Sequence, residues 1–265
     1  MAYIFCVANQ KGGVGKTTTA VNTAAALARK RQKVLLVDLD AQGNATMGSG
    51  IEKNDCALTV YQLLIGEATF DDVVQKSPTG GYDVVPANRD LSAAELDLMQ
   101  LKNPDKRLKG VIDKVADRYD FILIDCPPSL SMITVNALCC AKGVIIPMQC
   151  EYFALEGLSD LVNTVRRVRQ NKNPDLTIIG LLRVMFDARM TLQKEVSQQL
   201  KDNFGDRVFD AVIPRNVRLA EAPSYGEPGI VYDKTSRGAK AYLAFGRELI
   251  KRMKDAQGVE NTTEE

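Results

Sequence analysis

Two lysines flank a group of glycines near the start of the chain, within residues 9–18 (NQKGGVGKTT). Glycines let a backbone pass close to phosphate oxygens with its N–H groups turned inward, and lysine and threonine side chains complete such a donor set. The usual phosphate-loop pattern, G-x-x-x-x-G-K-[ST], would end on residues 15–17 but would require glycine at Gln10. The pattern therefore fails at one position, and a second cation, Lys11, lies directly beside it.

The segments on either side of this loop are those that a phosphate site needs. An apolar run, Tyr3–Ala8, predicts a buried strand, and the alanine-rich stretch Thr17–Arg31 predicts a helix whose N-terminal dipole faces the loop. A bare glycine turn is the alternative, but a turn needs neither two lysines nor two threonines. We expect Lys16 to reach the β- and γ-phosphates of a nucleotide and the Thr17 hydroxyl to bind Mg²⁺.

Carboxylates follow two further strand-like runs. Asp38 and Asp40 lie on the same side of an extended chain, and Asp125 is followed by two prolines that fix a rigid exit from the sheet. Open α/β sheets bind their ligands beyond the carboxyl ends of the strands. We expect Asp125 to hold Mg²⁺ through a water molecule, with Asp38 as a weaker metal candidate. Acids that merely end a strand are the alternative.

Apolar strand-like runs alternate with helical patterns along the whole chain. This order predicts the α/β class, with a single doubly wound, mostly parallel sheet and helices on both faces. We expect one domain over residues 1–256, two short helices within residues 51–81, and an acidic, disordered tail over residues 257–265. The strand candidates are Tyr3–Ala8, Lys33–Asp38, Tyr82–Pro86, Phe121–Asp125, Gly143–Met148, Thr177–Val184 and Val208–Ile213, and the helix candidates are Thr17–Arg31, Asp105–Arg118, Leu155–Gln170, Leu192–Phe204 and Ser236–Lys254.

Composition limits the chemistry that is open to the chain. Its 265 residues contain no histidine, so hydrolysis must use carboxylates, lysines and a metal. The six cysteines form no C-x-x-C pair, which predicts buried free thiols rather than zinc ligands or disulfides. The sequence has no apolar run of about 18 residues and no signal-peptide pattern, and we therefore expect a cytoplasmic protein. Residues 166–254 carry 18 Lys and Arg against 10 Asp and Glu, a basic block that suits a polyanion.

Four separated motifs together resemble one family along essentially the whole chain. They are ANQKGGVGKTTT, VDLDAQGN, LIDCPPS and IPRNVRLAEAPS. The first is similar to the deviant Walker A motif of the ParA/MinD ATPases, and the last resembles the adenine-side loop of chromosomal ParA, or Soj, proteins. The resemblance implies a P-loop NTPase fold with ATP and Mg²⁺ as cofactors. Ala41 departs from the proline of many relatives without removing a chemical group.

The resemblance also assigns roles to individual residues. Lys11 would contact the nucleotide of the partner subunit, Lys16 would bind the phosphates, and Asp40 would orient the attacking water. Pro214 would pack on the adenine ring while Asn216 reads its edge. The residues that would line the nucleotide are Lys11, Gly12, Gly13, Val14, Gly15, Lys16, Thr17, Thr18, Pro214 and Asn216.

The function implied by the resemblance is chromosome partitioning. ATP would drive formation of a homodimer that binds double-stranded DNA without sequence preference, and slow hydrolysis, stimulated by a ParB-type centromere-binding protein, would release it. This cycle would position or segregate replication origins on the nucleoid. By resemblance, Arg189 and Arg218 would contact DNA, whereas charge alone suggests Lys240, Arg247, Lys251 and Arg252.

Three alternatives stay open at this point. A MinD-like ATPase would bind membrane through an amphipathic C-terminal helix, although the apolar residues of the last helix are expected to pack on the sheet. A metal-cluster scaffold would use Cys126, but no suitably spaced second cysteine accompanies it. An ATP clamp that does not hydrolyse its nucleotide would need the same loop and the same carboxylates.

Overall fold

A single eight-stranded sheet forms the centre of the protein. The computed structural model describes residues 2–152 and 154–262. The strand order is β3-β4-β2-β5-β1-β6-β7-β8, and every neighbouring pair is parallel except β3 with β4. The strands are β1 Tyr3–Val7, β2 Val34–Asp38, β3 Gln75–Lys76, β4 Asp83–Val85, β5 Phe121–Asp125, β6 Gly143–Met148, β7 Thr177–Phe186 and β8 Val208–Pro214. The predicted fold class is confirmed.

Helices cover both faces of this sheet. In chain order they are α1 Lys16–Ala28, α2 Asn44–Gly48, α3 Val60–Ile65, α4 Phe70–Val73, α5 Ala94–Met99, α6 Arg107–Ile112, α7 Met132–Cys140, α8 Ala154–Asn171, α9 Thr191–Phe204, α10 Val217–Glu221, α11 Gly229–Tyr232 and α12 Arg237–Thr262. Successive residues of a strand point to opposite faces, so Leu35 and Val37 enter one hydrophobic core while Val34 and Leu36 enter the other. The strands are therefore apolar on both sides.

The long helix α12 belongs to the second of these cores. It packs along β8 and α1, and it buries Tyr242, Phe245, Leu249 and Met253. The Tyr242 hydroxyl shares a buried hydrogen bond of 3.0 Å with the Thr19 hydroxyl of α1. The prediction that the apolar residues of this helix pack on the sheet is confirmed.

Several local predictions differ from the structure. The helix expected over residues 105–118 is broken into a 3₁₀ turn, the short α6 and a second 3₁₀ turn, Ala116–Arg118. The sequence did not indicate α7, because this helix is buried on almost all sides and carries no amphipathic period. It also gave no sign of β3, a two-residue edge strand closed by the turn before Tyr82.

Residues 257–265 are predicted to form a disordered, acidic tail. The helix α12 includes residues 257–262, while residues 263–265 lie outside the described part of the chain. Disorder of residues 257–265 therefore stays a prediction. None of the helices among the described residues is both long enough and apolar enough to cross a membrane.

Truncation of Phe245 tests the packing of α12. This ring is fully buried and meets Phe209 edge-on, with 4.8 Å between the centroids. We expect Phe245→Ala to lower the free energy of unfolding by about 3–5 kcal/mol, because the cavity that it leaves has no way to collapse fully. Urea denaturation measures this change. The neighbouring exposed variant Arg247→Ala should stay within about 0.5 kcal/mol of the parent, and equal stability of both variants would contradict the packing.

Candidate functional site

The glycine-rich loop forms an open cradle between β1 and α1. Gly13 and Gly15 adopt φ angles of +70° and +74°, a left-handed conformation that other residues rarely adopt. A Cβ atom at Gly12 or Gly13 would meet no atom within 4 Å, so the space in front of the loop is empty of protein. Val14 points into the core and anchors the loop. This geometry leaves room for a polyphosphate.

Lys16, the first residue of α1, lies almost buried at the base of this loop. Its ammonium donates a hydrogen bond of 3.1 Å to the Lys11 carbonyl oxygen, which curls the loop around it. Burial lowers the pKa of Lys16, while the nearby charges of Asp125, Cys126 and Asp40 work in the opposite direction. An anion in the cradle would therefore find a poorly solvated cation directed toward it.

Asp38 and Asp125 end neighbouring strands in register, and both are completely buried. Asp38 is fully engaged: one oxygen accepts from the Thr46 N–H (2.8 Å) and hydroxyl (2.7 Å), and the other accepts from the Asp40 N–H (3.1 Å). Neither oxygen of Asp125 accepts a hydrogen bond of good geometry, and the Thr17 hydroxyl is the one neighbouring donor in the described part of the chain that favours its charged form. Buried carboxylates with so few donors are costly, so Asp125 is the oxygen pair that a hydrated cation fits.

Burial dominates the protonation of this pair. It raises the pKa of Asp38 to about 6, although the hydrogen bonds from Thr46 and Asp40 favour the charged form. It raises the pKa of Asp125 well above the usual range, and the neighbouring charge of Asp38 adds to the increase. Of the two predicted metal ligands, Asp125 is therefore favoured over Asp38, because the oxygens of Asp38 already accept hydrogen bonds from Thr46 and Asp40. Asp38 has a structural role in the strand-end loop.

Asp40 lies half-buried in the loop that follows β2. One of its oxygens accepts from the Gln42 N–H at 3.0 Å. The loop is closed by Gly43, whose φ of +61° and close approach to the Ala87 carbonyl oxygen exclude a side chain. The negative charge of Asp40 raises the pKa of both Lys16 and Asp125. The predicted catalytic carboxylate is therefore near the phosphate cradle. Thr17 lies in the first turn of α1, and its hydroxyl is close enough to Asp125 to favour the charged form of that carboxyl group.

A cavity of about 240 Å³ opens beside this loop. Gly15 and Thr18 line one side of it, and Pro214 and Asn216 line the other. Asn216 also caps α10, because its side-chain oxygen accepts from the Leu219 N–H at 3.2 Å. The structure thus brings the two residues predicted for the adenine to one cavity with the phosphate loop. A purine base has a suitable size for such a space.

Lys11 lies at the open edge of the cradle and is half-exposed. Its ammonium forms an ion pair with Glu151, which follows β6. Gln149 from the same segment donates a hydrogen bond of 3.1 Å to the Gly13 carbonyl oxygen. The sequence analysis did not identify Gln149 or Glu151. The signal that could have found them is the rule that ligands bind beyond the carboxyl ends of parallel strands, because both residues follow β6.

The candidate DNA-contacting residues lie on two surfaces. Arg189, between β7 and α9, is 90% exposed and pairs with Asp187, while Arg218 in α10 pairs with Glu221. Both follow neighbouring strands, at the same edge as the nucleotide cradle. Lys240, Arg247 and Lys251 are exposed on α12, at a spacing that puts them on one face of the helix.

Arg252 differs from these residues. Its guanidinium stacks on the Phe209 ring at 4.3 Å and pairs with Glu248. It also donates hydrogen bonds to the Asp206 and Val208 carbonyl oxygens. These contacts tie α12 to the start of β8, so the structure gives Arg252 a structural role. Charge alone suggested it as a DNA contact because sequence does not show where a side chain points.

The cysteine thiols are buried, and burial favours their protonated, unreactive form. All six cysteines are free and buried, and burial raises the pKa of Cys140 and Cys150. Among the described residues, no group of three or more cysteines and acids could hold a metal ion. The prediction of buried free thiols is confirmed. The metal-cluster alternative has no ligand set within this part of the chain.

Comparisons with known proteins give a consistent result. An AAA-domain family model (AAA_31) matches residues 2–178. The chain is 50% identical to the sporulation initiation inhibitor protein Soj of Bacillus subtilis, covering 94% of this chain and 98% of that protein. It is 47% identical to the chromosome partitioning protein ParA of Caulobacter vibrioides, covering 96% of both.

Solved structures agree with the fold. A cobyrinic acid a,c-diamide synthase of Mycobacterium smegmatis, solved with ADP and magnesium, has a TM-score of 0.85 at 34% identity and covers 97% of both chains. A plasmid partition protein of Borrelia burgdorferi bound to AMPPNP has a TM-score of 0.80 at 28% identity, covering 95% of this chain and all of the other. The cell division ATPase MinD of Pyrococcus furiosus reaches 0.78 at 26% identity, covering 95% and 99%.

Replacement of Asp125 tests whether its oxygens receive a cation. We expect Asp125→Asn to leave the melting temperature of the nucleotide-free protein nearly unchanged, because burial already favours the neutral form of this carboxyl group and the amide is neutral and of the same size. The stabilisation by Mg²⁺-ATP should fall by about 1.4 kcal/mol for each tenfold loss in affinity. Thermal melting with and without Mg²⁺-ATP measures both effects.

The neighbouring aspartate serves as the matched control. Asp38→Asn disturbs three hydrogen bonds, so it should destabilise the nucleotide-free protein by about 1–3 kcal/mol. Full stabilisation of Asp125→Asn by Mg²⁺-ATP would contradict the metal assignment.

Proposed function

Because the chain belongs to the ParA/Soj family of chromosome-partitioning P-loop ATPases, we propose that it is the DNA-binding ATPase of a partition system. In this proposal, ATP binding produces a homodimer that binds duplex DNA without sequence preference. A ParB-type centromere-binding protein stimulates a slow hydrolysis that releases the dimer. The cycle moves or positions replication origins on the nucleoid, in the cytoplasm.

One observation carries the nucleotide part of this proposal. The glycine cradle, the buried Lys16 and the buried carboxylate of Asp125 lie together at one edge of the sheet. Their donor set fits Mg²⁺-ATP: Lys16 and the loop N–H groups would hold the phosphates, while Thr17 and Asp125 would hold the metal, Asp125 through a water molecule. When bound, Mg²⁺ neutralises phosphate charge. Asp40 would orient the attacking water, and Pro214 and Asn216 would hold the base.

The exposed position of Lys11 supports a role between subunits. In the single chain this lysine pairs with Glu151, and both side chains are about half-exposed. Exposed ion pairs contribute about 0–1 kcal/mol, so this pair is a weak competitor. A nucleotide phosphate of the partner subunit carries more charge than one carboxylate. Lys11 would therefore exchange Glu151 for the partner's nucleotide when the dimer forms.

Basic side chains on two surfaces, at the cradle edge and along α12, support DNA binding by the dimer. We assign the contacts to Arg189, Arg218, Lys240, Arg247 and Lys251, and we leave Arg252 out because of its structural contacts. Each lysine or arginine that neutralises a phosphate releases a condensed counterion. A two-fold axis doubles the number of such contacts. Dimerisation would therefore change DNA affinity steeply without a change within the subunit.

The names of similar proteins do not all point to the same activity. The synthase name is attached to a protein that is 34% identical, whereas the Soj and ParA names are attached to proteins that are 47–50% identical. We therefore take the function from the partition proteins. The MinD-like alternative is weakened because α12 buries its large apolar residues against the sheet.

Hydrolysis assays with the proposed partners test the whole function. ATP turnover should rise when duplex DNA and a peptide from a ParB-type protein are both present, and it should rise less with either alone. Co-sedimentation with ATP should recover the protein with DNA and not with anionic liposomes. Sedimentation with liposomes but not with DNA would favour the membrane-binding alternative.

Truncation of Asp40 separates hydrolysis from dimer formation. We expect Asp40→Ala to keep ATP-dependent dimerisation, because the loop loses one hydrogen bond, from the Gln42 N–H, but keeps Gly43 and the bonds of Thr46 to Asp38. Phosphate release should fall at least about a hundredfold, as is common when a group that positions or activates water is lost. The exposed Asp55→Ala is the control and should keep the parent rate. Undiminished phosphate release from Asp40→Ala would refute its role.

Truncation of Arg218 tests the DNA surface. We expect Arg218→Ala to bind ATP normally but to weaken retention on duplexes of any sequence. Its plot of log affinity against log salt should become shallower by about two in the dimer, one for each lost phosphate contact. Arg166→Ala changes an exposed arginine on α8, whose apolar side packs in the opposite core, and should leave the slope unchanged. Equal slopes for the parent and Arg218→Ala would contradict the assignment.

A further inference from the structure

A second cavity, of about 580 Å³, lies far from the nucleotide loop in sequence and is formed by α3, α4 and α6 with their connections. Its apolar lining consists of Leu63, Ala68, Phe70, Val111 and Val115, of which Leu63, Phe70 and Val115 are buried in the core below. Its basic lining consists of Lys102, Lys106, Arg107, Lys114 and Arg118. None of these residues takes part in the nucleotide site. The cavity is a cleft with an apolar floor and a basic rim.

The charge of this rim is not balanced within the protein. Asp71 is the one acid in the lining, and Arg118 already pairs with it. Two acids near the cleft are also engaged, since Asp105 pairs with Lys172 and Asp113 pairs with Lys109. Within residues 2–152 and 154–262, Lys102, Lys106 and Lys114 have no ion pair. The cleft therefore offers a ligand three ammonium groups that form no ion pair in the described part of the chain.

Two glycines shape the opening. Gly66 ends α3 with a φ of +89°, and a Cβ there would stand 2.8 Å from the Arg107 guanidinium. Arg107 is held in this place because it donates a hydrogen bond of 2.8 Å to the Leu64 carbonyl oxygen. Gly110 lies inside α6, where glycine is unfavourable, yet a Cβ there would meet nothing within 4 Å. Internal packing does not require Gly110, and its lack of a side chain keeps the cleft open.

We propose that this cleft binds an acidic peptide segment of a partner protein. One apolar side chain of that segment would contact Phe70 and Val111, while its carboxylates would pair with the free lysines of the rim. Charge complementarity of this kind determines orientation and specificity at protein interfaces. An apolar anchor in a pocket, surrounded by polar contacts, is the usual arrangement of a binding hot spot.

Duplex DNA fits this cleft less well. DNA phosphates lie on a convex, hydrated surface and do not enter an apolar depression of this size. The basic face of α12 also lies on the other side of the sheet, because α12 packs in one core while α6 packs in the other. One rigid duplex cannot contact both surfaces of a subunit. The cleft and the proposed DNA surface would therefore serve two different partners.

Binding of a model peptide tests this proposal. The probe is a short fluorescein-labelled peptide rich in glutamate with one central leucine, and binding is followed by fluorescence anisotropy. We expect the charge-reversal variant Lys106→Glu/Lys114→Glu to weaken binding at least about tenfold. Gly110→Phe, which fills the cleft without changing its charge, should weaken binding to a similar extent. The matched control is Lys109→Glu, on the same helix but outside the cleft, and it should stay within about twofold.

Two further readouts distinguish this site from the proposed function. Basal ATP hydrolysis and ATP-dependent DNA retention should be unchanged in the cleft variants, because none of these residues lies in the nucleotide site or on the α12 face. Absence of peptide binding to the parent protein, or equal binding by the parent and Gly110→Phe, would overturn the proposal. Loss of DNA retention in Lys106→Glu/Lys114→Glu would assign the cleft to DNA and would also overturn it.

Discussion

The burial of opposite charges where three parallel strands end is the constraint on which the rest of the structure depends. Lys16, Asp38 and Asp125 have almost no exposed surface, although ionised groups are costly to remove from water. The protein resolves this cost differently for each group. Asp38 receives three hydrogen bonds, Lys16 donates to a loop carbonyl oxygen, and among the described residues Asp125 has only the nearby Thr17 hydroxyl as a donor. Asp125 is therefore the group whose buried negative charge a bound Mg²⁺ ion would compensate.

The same arrangement connects the nucleotide loop to the rest of the fold. Lys16 begins α1, and α1 packs against α12 with the buried Thr19–Tyr242 hydrogen bond between them. This packed core gives the basic face of α12 a fixed position relative to the nucleotide. In the proposed switch, pairing two such faces would multiply the affinity for DNA without rearrangement inside the subunit. Lys11 is half-exposed and forms only a surface ion pair with Glu151, which is consistent with its proposed contact to the nucleotide of a partner subunit.

The sequence predicted those features that depend on local patterns. All seven predicted strands are present, with ends shifted by two residues at most, because a buried parallel strand is a continuous apolar run between turns. The phosphate loop could be predicted because all of its glycines, lysines and threonines lie within ten consecutive residues. The helix α7 was missed because burial on almost every side removes the amphipathic period, and the ion pair of Lys11 with Glu151 was missed because its members are far apart in sequence. The cleft beside α6 depends on tertiary placement and on the open space at Gly110, which no pattern indicates.

In the proposed function, Lys11 makes DNA binding depend on ATP by joining two subunits across their nucleotides. Sedimentation velocity of Lys11→Ala and of Glu151→Gln, each with ATP, ADP or no nucleotide, tests this role. The parent and Glu151→Gln should sediment as dimers with ATP and as monomers otherwise. Lys11→Ala should remain a monomer in every state while it still binds ATP. A Lys11→Ala dimer that forms with ATP as readily as the parent would refute the proposed role of Lys11.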